Sequence, residues 1–110
     1  MKQYLIDELR STDYQKLKKY FDDTFGPAEM DGIYWIPLDP GLLTENQAAH
    51  SECQPFYVAV VLEAEQLACE LLIRTHHRVR CSCIDYASES QRSWLFNMVD
   101  GIFHQLEIKT

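Results

Sequence analysis

Hydrophobic and polar residues alternate along three consecutive segments in the second half of the chain, residues 56–63, 67–75 and 78–84. A period of two predicts β-strands with one buried face. The connections between the segments are short, so the strands can only be antiparallel neighbours. Residues 32–38 are rich in aromatic and β-branched side chains and predict a further strand. Pro37 either places that strand at the edge of a sheet or marks its end.

Three capping boxes, each a serine or threonine followed three residues later by glutamine, predict where helices begin. They are Thr12–Gln15, Thr44–Gln47 and Ser88–Gln91. The helices predicted from them extend over residues 13–24, 45–52 and 89–106. A broad apolar stripe predicts that the last helix covers a sheet. The stripe consists of Trp94, Leu95, Met98, Val99, Ile102, Phe103 and Leu106. The first ten residues fit either a strand or a helical turn.

The register of the two predicted hairpins follows from the requirement that core residues share one face of the sheet. A turn at residues 64–65, or a four-residue loop of the same parity, places the even-numbered residues of the first strand on that face. The pairs predicted across this hairpin are Leu62 with Leu67, Val60 with Cys69, Val58 with Leu71 and Phe56 with Ile73. A three-residue loop at 75–77 then places Cys69 directly opposite Cys83, as two free thiols beneath the last helix.

Together these elements predict an α+β fold. We expect an antiparallel sheet of three to four strands, with the C-terminal helix packed across one face and an N-terminal helix. A length of 110 residues suits a single domain, which we expect to span residues 1–110.

Charge and composition narrow the class of function. The formal net charge is −7 at pH 7, which argues against nucleic-acid binding because such affinity comes mainly from neutralising phosphates. The sequence shows neither an apolar segment typical of a secretory signal nor a run long enough to span a membrane. We therefore expect a cytoplasmic protein with reduced cysteines and no membrane partner.

The stretch RTHHRVRCSC, residues 74–83, concentrates reactive side chains. In the predicted register Cys53 lies at the end of the sheet that carries His76 and His77, and His50 can face the same way. Two cysteines and two histidines are acceptable zinc ligands. The alternative is that the histidines are solvated and Cys53 fills the core. No pair of nucleophile and base can be identified, so we expect neither an enzyme nor a cofactor.

The face of the sheet opposite the predicted core mixes charge with apolar surface. It carries Arg74, Arg78, Arg80, Tyr57 and Leu72. This mixture is typical of protein–protein interfaces. Arg74 is predicted to lie opposite Arg78, and Glu70, another acid of the chain or an anionic partner should offset that repulsion. We expect a small non-enzymatic interaction module that binds a protein partner or a second copy of itself. The alternative is a small-ligand or metal-binding regulatory domain that uses the end of the sheet with His50, Cys53, His76 and His77.

Overall fold

The chain forms an antiparallel sheet with helices packed against it. The computed structural model describes residues 2–77 and 80–109. The strands within these residues are β1 (Gln3–Ile6), β2 (Ile33–Pro37), β3 (Phe56–Leu62), β4 (Leu67–Thr75) and β5 (Asp85–Tyr86). The α-helices are α1 (Ser11–Phe25), α2 (Glu45–Ala49) and α3 (Glu89–Gln105). The strand order is β1-β4-β3-β2, and β5 also pairs with β4. The predicted α+β class, with its N-terminal and C-terminal helices, is confirmed.

Helix α1 begins at Ser11, two residues earlier than predicted, and its N-cap is Arg10. The carboxylate of Asp13 accepts the backbone N–H of Arg10 at 3.0 Å and its guanidinium Nε–H at 3.2 Å. These hydrogen bonds from Arg10 hold the pKa of Asp13 below its ordinary value. The predicted Thr12–Gln15 capping box is wrong, because the ion-paired carboxylate of Asp13 caps the helix two positions earlier.

The capping boxes of α2 and α3 are confirmed. The hydroxyls of Thr44 and Ser88 accept the backbone N–H groups of Gln47 and Gln91 at 3.2 and 3.3 Å. Each glutamine side chain in turn accepts the backbone N–H of its N-cap residue at 3.0 Å. Helix α2 is shorter than predicted, and the 3-10 turn Ser51–Cys53 follows it.

The β3–β4 hairpin has the predicted parity but only part of the predicted register. Its turn is the predicted one, because Glu63 and Gln66 exchange two backbone hydrogen bonds. The first two predicted pairs are confirmed, and a β-bulge follows them. Beyond it the observed pairs are Val58 with Ile73 and Phe56 with Thr75, in place of Val58 with Leu71 and Phe56 with Ile73. The bulge leaves the alternation of buried and partly exposed residues along β4 intact, because it adds an even number of residues.

The strand predicted over residues 78–84 is wrong. Arg78 and Val79 lie outside the described residues, and residues 80–84 form a loop with a turn closed by the hydrogen bond from Ile84 N–H to the Cys81 carbonyl. On the edge of β4 that faces away from β3, the short β5 pairs with Leu72 and Ile73.

The predicted pair of Cys69 and Cys83 is therefore wrong as well. Strand β1 occupies the outer edge of β4, so Tyr4 lies opposite Cys69 on one side and Val60 on the other. The prediction missed this because the first ten residues had no assigned place in the sheet.

Helices α1 and α3 pack on the same face of the sheet. Phe21 of α1 lies 5.2 Å from Tyr34 of β2 between ring centroids, and Phe96 of α3 lies 4.6 Å from Tyr4 of β1. The residues of the predicted α3 stripe that are buried are Leu95, Val99, Ile102 and Phe103. They join one hydrophobic cluster with the buried positions of α1 and the strands.

Candidate functional site

The packing of both long helices on one face leaves the other face of the sheet open. Its side chains alternate with the buried core positions and are partly exposed. The open face, as the term is used below, consists of Ile33, Trp35, Tyr57, Val61, Leu72 and Arg74. Partly exposed apolar and aromatic side chains that share one face are typical of a binding surface.

Aromatic rings form an ordered cluster at one end of the open face. The ring of His76 stacks on Tyr57, with centroids 4.3 Å apart and planes within 9°. Trp35 meets His76 edge-on at 4.6 Å. The indole Nε1–H of Trp35 donates to Glu29 at 3.1 Å, so the Trp35 ring is held from its polar edge as well as by its neighbours.

Three of the five predicted binding residues, Tyr57, Leu72 and Arg74, lie on the open face. Arg80 is exposed, but it lies in a loop rather than a strand. Arg78 lies outside the described residues. The predicted row of arginines along a strand is therefore wrong, because the strand that would carry it does not form. That the remaining three residues contact a partner stays a prediction.

The charge of Arg74 is offset within the chain. Its guanidinium forms a two-pronged ion pair with Glu70, and the Nη2 to Oε2 distance is 3.3 Å. Glu70 was one of three expected sources of a negative charge beside Arg74, and the structure shows that Glu70 supplies it. The side chains of Arg74 and Glu70 remain 37% and 21% exposed, so a partner can still reach the pair.

A second site lies at the end of the sheet near Cys53. The Sγ atoms of Cys53, Cys81 and Cys83 all lie within 4.8 Å of one another, and the three residues are here termed the thiol cluster. The predicted group of His50, Cys53, His76 and His77 is wrong, because His76 stacks on Tyr57 of the open face.

Hydrogen bonds fix the backbone around the thiol cluster. Cys53 ends a 3-10 turn, its N–H donates to the His50 carbonyl at 3.0 Å, and its carbonyl accepts the hydroxyl of Thr75. The carbonyl of Cys83 accepts Nε2–H of Gln47 at 3.3 Å. Cys53 and Cys83 are buried, whereas Cys81 is partly exposed.

The environment separates the thiols in acidity. A hydrogen bond from the backbone of Cys83 lowers the pKa of Cys81, and the neighbouring thiols and the His50 ring lower it further. Burial raises the pKa of Cys83. Burial also raises the pKa of Cys69, which lies outside the cluster, to about 12. Of Cys69, Cys81 and Cys83, Cys81 is therefore the thiol that ionises most readily.

Sequence reasoning missed Trp35 as a site residue and missed the meeting of Cys81 and Cys83 with Cys53. The spacings HSEC, residues 50–53, and CSC, residues 81–83, were a usable signal. Pairs of ligand residues at short spacing on two separate segments are typical of zinc sites. The strand predicted over residues 78–84 placed Cys81 and Cys83 on the core face of the sheet, away from Cys53.

The fold and these two sites define a small α+β domain with an open sheet face and a buried thiol cluster. No family model matches the chain, and neither a curated protein nor a solved structure is significantly similar to it. Among the helices of the described residues, none is both long and apolar enough to cross a membrane.

Proposed function

We propose that this protein is a small non-enzymatic interaction module and that its open face docks a protein partner with a basic surface. The observation that carries the proposal is the contact of the partly exposed Trp35 and Tyr57 with the exposed His76. Arg74 lies opposite Tyr57 in the sheet. Tryptophan, tyrosine and arginine are the residues most enriched among those that dominate binding energy at interfaces.

The residues of the open face are already ordered before any partner arrives. Trp35 and Tyr57 contact each other edge-on at 6.5 Å, and both contact His76. Glu70 holds Arg74 in place. Side chains fixed in advance lose less conformational entropy on binding, so more of the contact energy appears as affinity.

Charge favours a basic partner over a second copy. The chain carries a net charge of −7, so two copies repel one another, whereas a basic surface is attracted and steered. The same charge disfavours nucleic acid as the partner. We propose the cytoplasm as the location, since all four cysteines are free, which suits a reducing compartment.

The alternative of a small-ligand domain has less support. A pocket of about 310 Å³ is lined by Leu38, Pro40, Leu43, Gln54, Pro55 and Phe56. Ligand pockets normally add several convergent polar groups to such apolar walls. Gln54 is the one polar side chain among these six, so the pocket offers little basis for selecting a ligand.

The proposal is tested by selecting binders from a phage-displayed library of protein fragments against the folded chain and titrating the purified fragments by calorimetry. We expect fragments of net positive charge whose affinity falls as salt is raised. Trp35→Ala and Tyr57→Ala should each weaken binding at least tenfold, about 1.4 kcal/mol or more. Ser93→Ala, at an exposed position on α3, is the matched control and should bind as the wild type does.

Two outcomes count against the proposal. Fragments that bind Trp35→Ala as tightly as wild type would show that the open face is not the docking surface. A wild-type dimer in light scattering that Trp35→Ala dissociates would replace the basic partner with a second copy. Each variant is first checked by circular dichroism, so that loss of binding is not loss of fold.

A further inference from the structure

We propose that Cys53, Cys81 and Cys83 bind one zinc ion through their thiolates and that His50 supplies the fourth ligand. The site is separate from the open face, and the proposal does not depend on the interaction function. It rests on the geometry of the thiol cluster, the hydrogen bond that holds the His50 ring and the way the cluster joins two segments of chain.

The three sulfur atoms are already placed for a single ion. With Zn–S bonds of about 2.3 Å, the sulfurs of a tetrahedral site lie roughly 3.8 Å apart. The Sγ atoms of the cluster lie within 4.8 Å of one another. Movements of about 1 Å or less would therefore bring all three into the coordination sphere.

Three thiols also fit a metal better than a disulfide. A disulfide would use two of the cluster's sulfurs and leave the third unpaired. Cys81 and Cys83 are separated by one residue, a spacing that strains a disulfide between them. All three cysteines are free, whereas one zinc ion would use all of them. Thiolates are ligands that zinc favours in structural sites.

His50 is held in the form that a zinc ligand requires. Its Nδ1 lies 2.6 Å from the carbonyl oxygen of Asn46. A proton on Nδ1 makes that contact a hydrogen bond and leaves the lone pair on Nε2, as is usual for histidines that bind metals. His50 lies three residues before Cys53, and the backbone N–H of Cys53 donates to the His50 carbonyl at 3.0 Å. Nε2 is therefore the nitrogen that would reach the ion.

The ion would connect parts of the chain that the sheet does not connect. Cys53 precedes β3, whereas Cys81 and Cys83 lie in the loop at residues 80–84, which has no strand pairing. That loop is attached to α2 by the hydrogen bonds from Asn46 to Ser82 and from Gln47 to Cys83. A structural zinc site stabilises a fold by joining such segments.

The test measures metal directly. Protein purified with reductant in the presence of zinc, then dialysed, is analysed for metal, and the metal-free chain is titrated with Co²⁺. We expect one zinc per chain, a tetrahedral cobalt spectrum with a thiolate charge-transfer band, and displacement of cobalt by zinc. Less than one tenth of an equivalent of zinc, or a cobalt spectrum without that band, would overturn the proposal.

Variants identify the ligands. Cys81→Ser should weaken zinc binding at least tenfold, and because Cys81 is partly exposed this variant should still fold. Cys69→Ala, which removes a buried thiol outside the cluster, is the control and should keep one equivalent of zinc. Equal zinc affinity in Cys81→Ser and wild type would contradict a thiolate site.

The fourth ligand is tested by His50→Ala against His76→Ala. We expect His50→Ala to lower zinc affinity at least tenfold and to change the cobalt spectrum, whereas His76→Ala should leave both unchanged. An unchanged spectrum in His50→Ala would remove His50 from the site and leave the fourth position to water or another group. Zinc should also raise the thermal midpoint of wild type and not that of Cys81→Ser.

Discussion

Gln47 and Gln91 are each only 1% exposed, although glutamine is usually a surface residue. Each closes the capping box of its own helix. In addition, Nε2–H of Gln91 donates to Oε1 of Gln47 and to the carbonyl of Leu42, both at 2.9 Å. Gln47 passes the connection on to the carbonyl of Cys83. The two glutamines that cap their own helices thus also link α2, α3 and the loop at residues 80–84.

Removing the Gln91 amide should be costly for its size. Gln91→Leu leaves the N–H of Ser88 and the carbonyl of Leu42 without their partner, and we expect the free energy of unfolding to fall by about 2 kcal/mol or more. Gln91→Glu keeps an acceptor for the cap but loses the donors while it is ionised, so it should also be destabilised. Urea denaturation measures both.

Gln105→Leu, at an exposed position on the same helix, is the control and should change stability by no more than about 0.5 kcal/mol. If Gln91→Leu were as stable as this control, the buried amide network would contribute nothing.

At the scale of elements, the sequence predicted what depends on local pattern. The strand β4 was predicted over Leu67–Thr75, as observed, and two of three capping boxes hold. The parity of the β3–β4 hairpin was also predicted correctly, because one core face is enough to fix it.

Long-range pairing could not be predicted in the same way. The bulge between Val58 and Val60 and the docking of β1 against β4 depend on contacts between segments that no local pattern encodes. The thiol cluster depends on the same kind of contact. Once residues 78–84 were treated as a strand, alternation separated Cys81 and Cys83 from Cys53.

The buried face of α3 gives a direct test of how the helix is oriented. Leu95 is 1% exposed, whereas Trp94 is only partly buried. We expect Leu95→Ala to lower the free energy of unfolding by about 2–5 kcal/mol. Trp94→Ala should cost less than the roughly 3–5 kcal/mol typical of a fully buried tryptophan. Denaturant unfolding measures both, with the exposed Asn97→Ala as control. A larger loss for Trp94→Ala than for Leu95→Ala would mean that α3 is rotated from the orientation described.

At the scale of the whole molecule, the two faces of the sheet differ: one is covered by helices and the other is open. One face carries α1 and α3 and contains the hydrophobic core. The other presents Trp35 and Tyr57, which the core does not need. This division leaves the open face available to the proposed partner. The zinc ion proposed at the thiol cluster would secure the loop at residues 80–84, which has little regular structure.

The first strand and the last helix are also joined directly. The hydroxyl of Tyr4 in β1 donates to Asp100 in α3 at 2.8 Å. Helix α1 is joined to the end of α3 as well, because Nζ of Lys16 donates to the carbonyl of Leu106 at 3.0 Å. Tyr4 and Asp100 are 96 residues apart. Their contact forms only when β1 and α3 are both in place, so it reports on closure of the whole fold.

The contribution of the contact between Tyr4 and Asp100 to the free energy of unfolding should depend on pH. Burial and, after it, the hydrogen bond to Asp100 raise the pKa of Tyr4 from its ordinary value of 10.0 to about 12. The folded state thus favours the protonated phenol. The stabilisation is fully present below about pH 10 and is lost as the pH rises through about 12.

We expect the difference in free energy of unfolding between wild type and Tyr4→Phe to stay constant up to about pH 10 and then to fall. Asp100→Asn, which keeps an acceptor but removes the negative charge, should show a weaker fall. Urea denaturation from pH 7 to 12 measures all three proteins. The ionisation of the cysteines is common to them and cancels in the differences. Parallel curves for wild type and Tyr4→Phe across pH 10 to 12 would show that Tyr4 does not couple β1 to α3 through its proton.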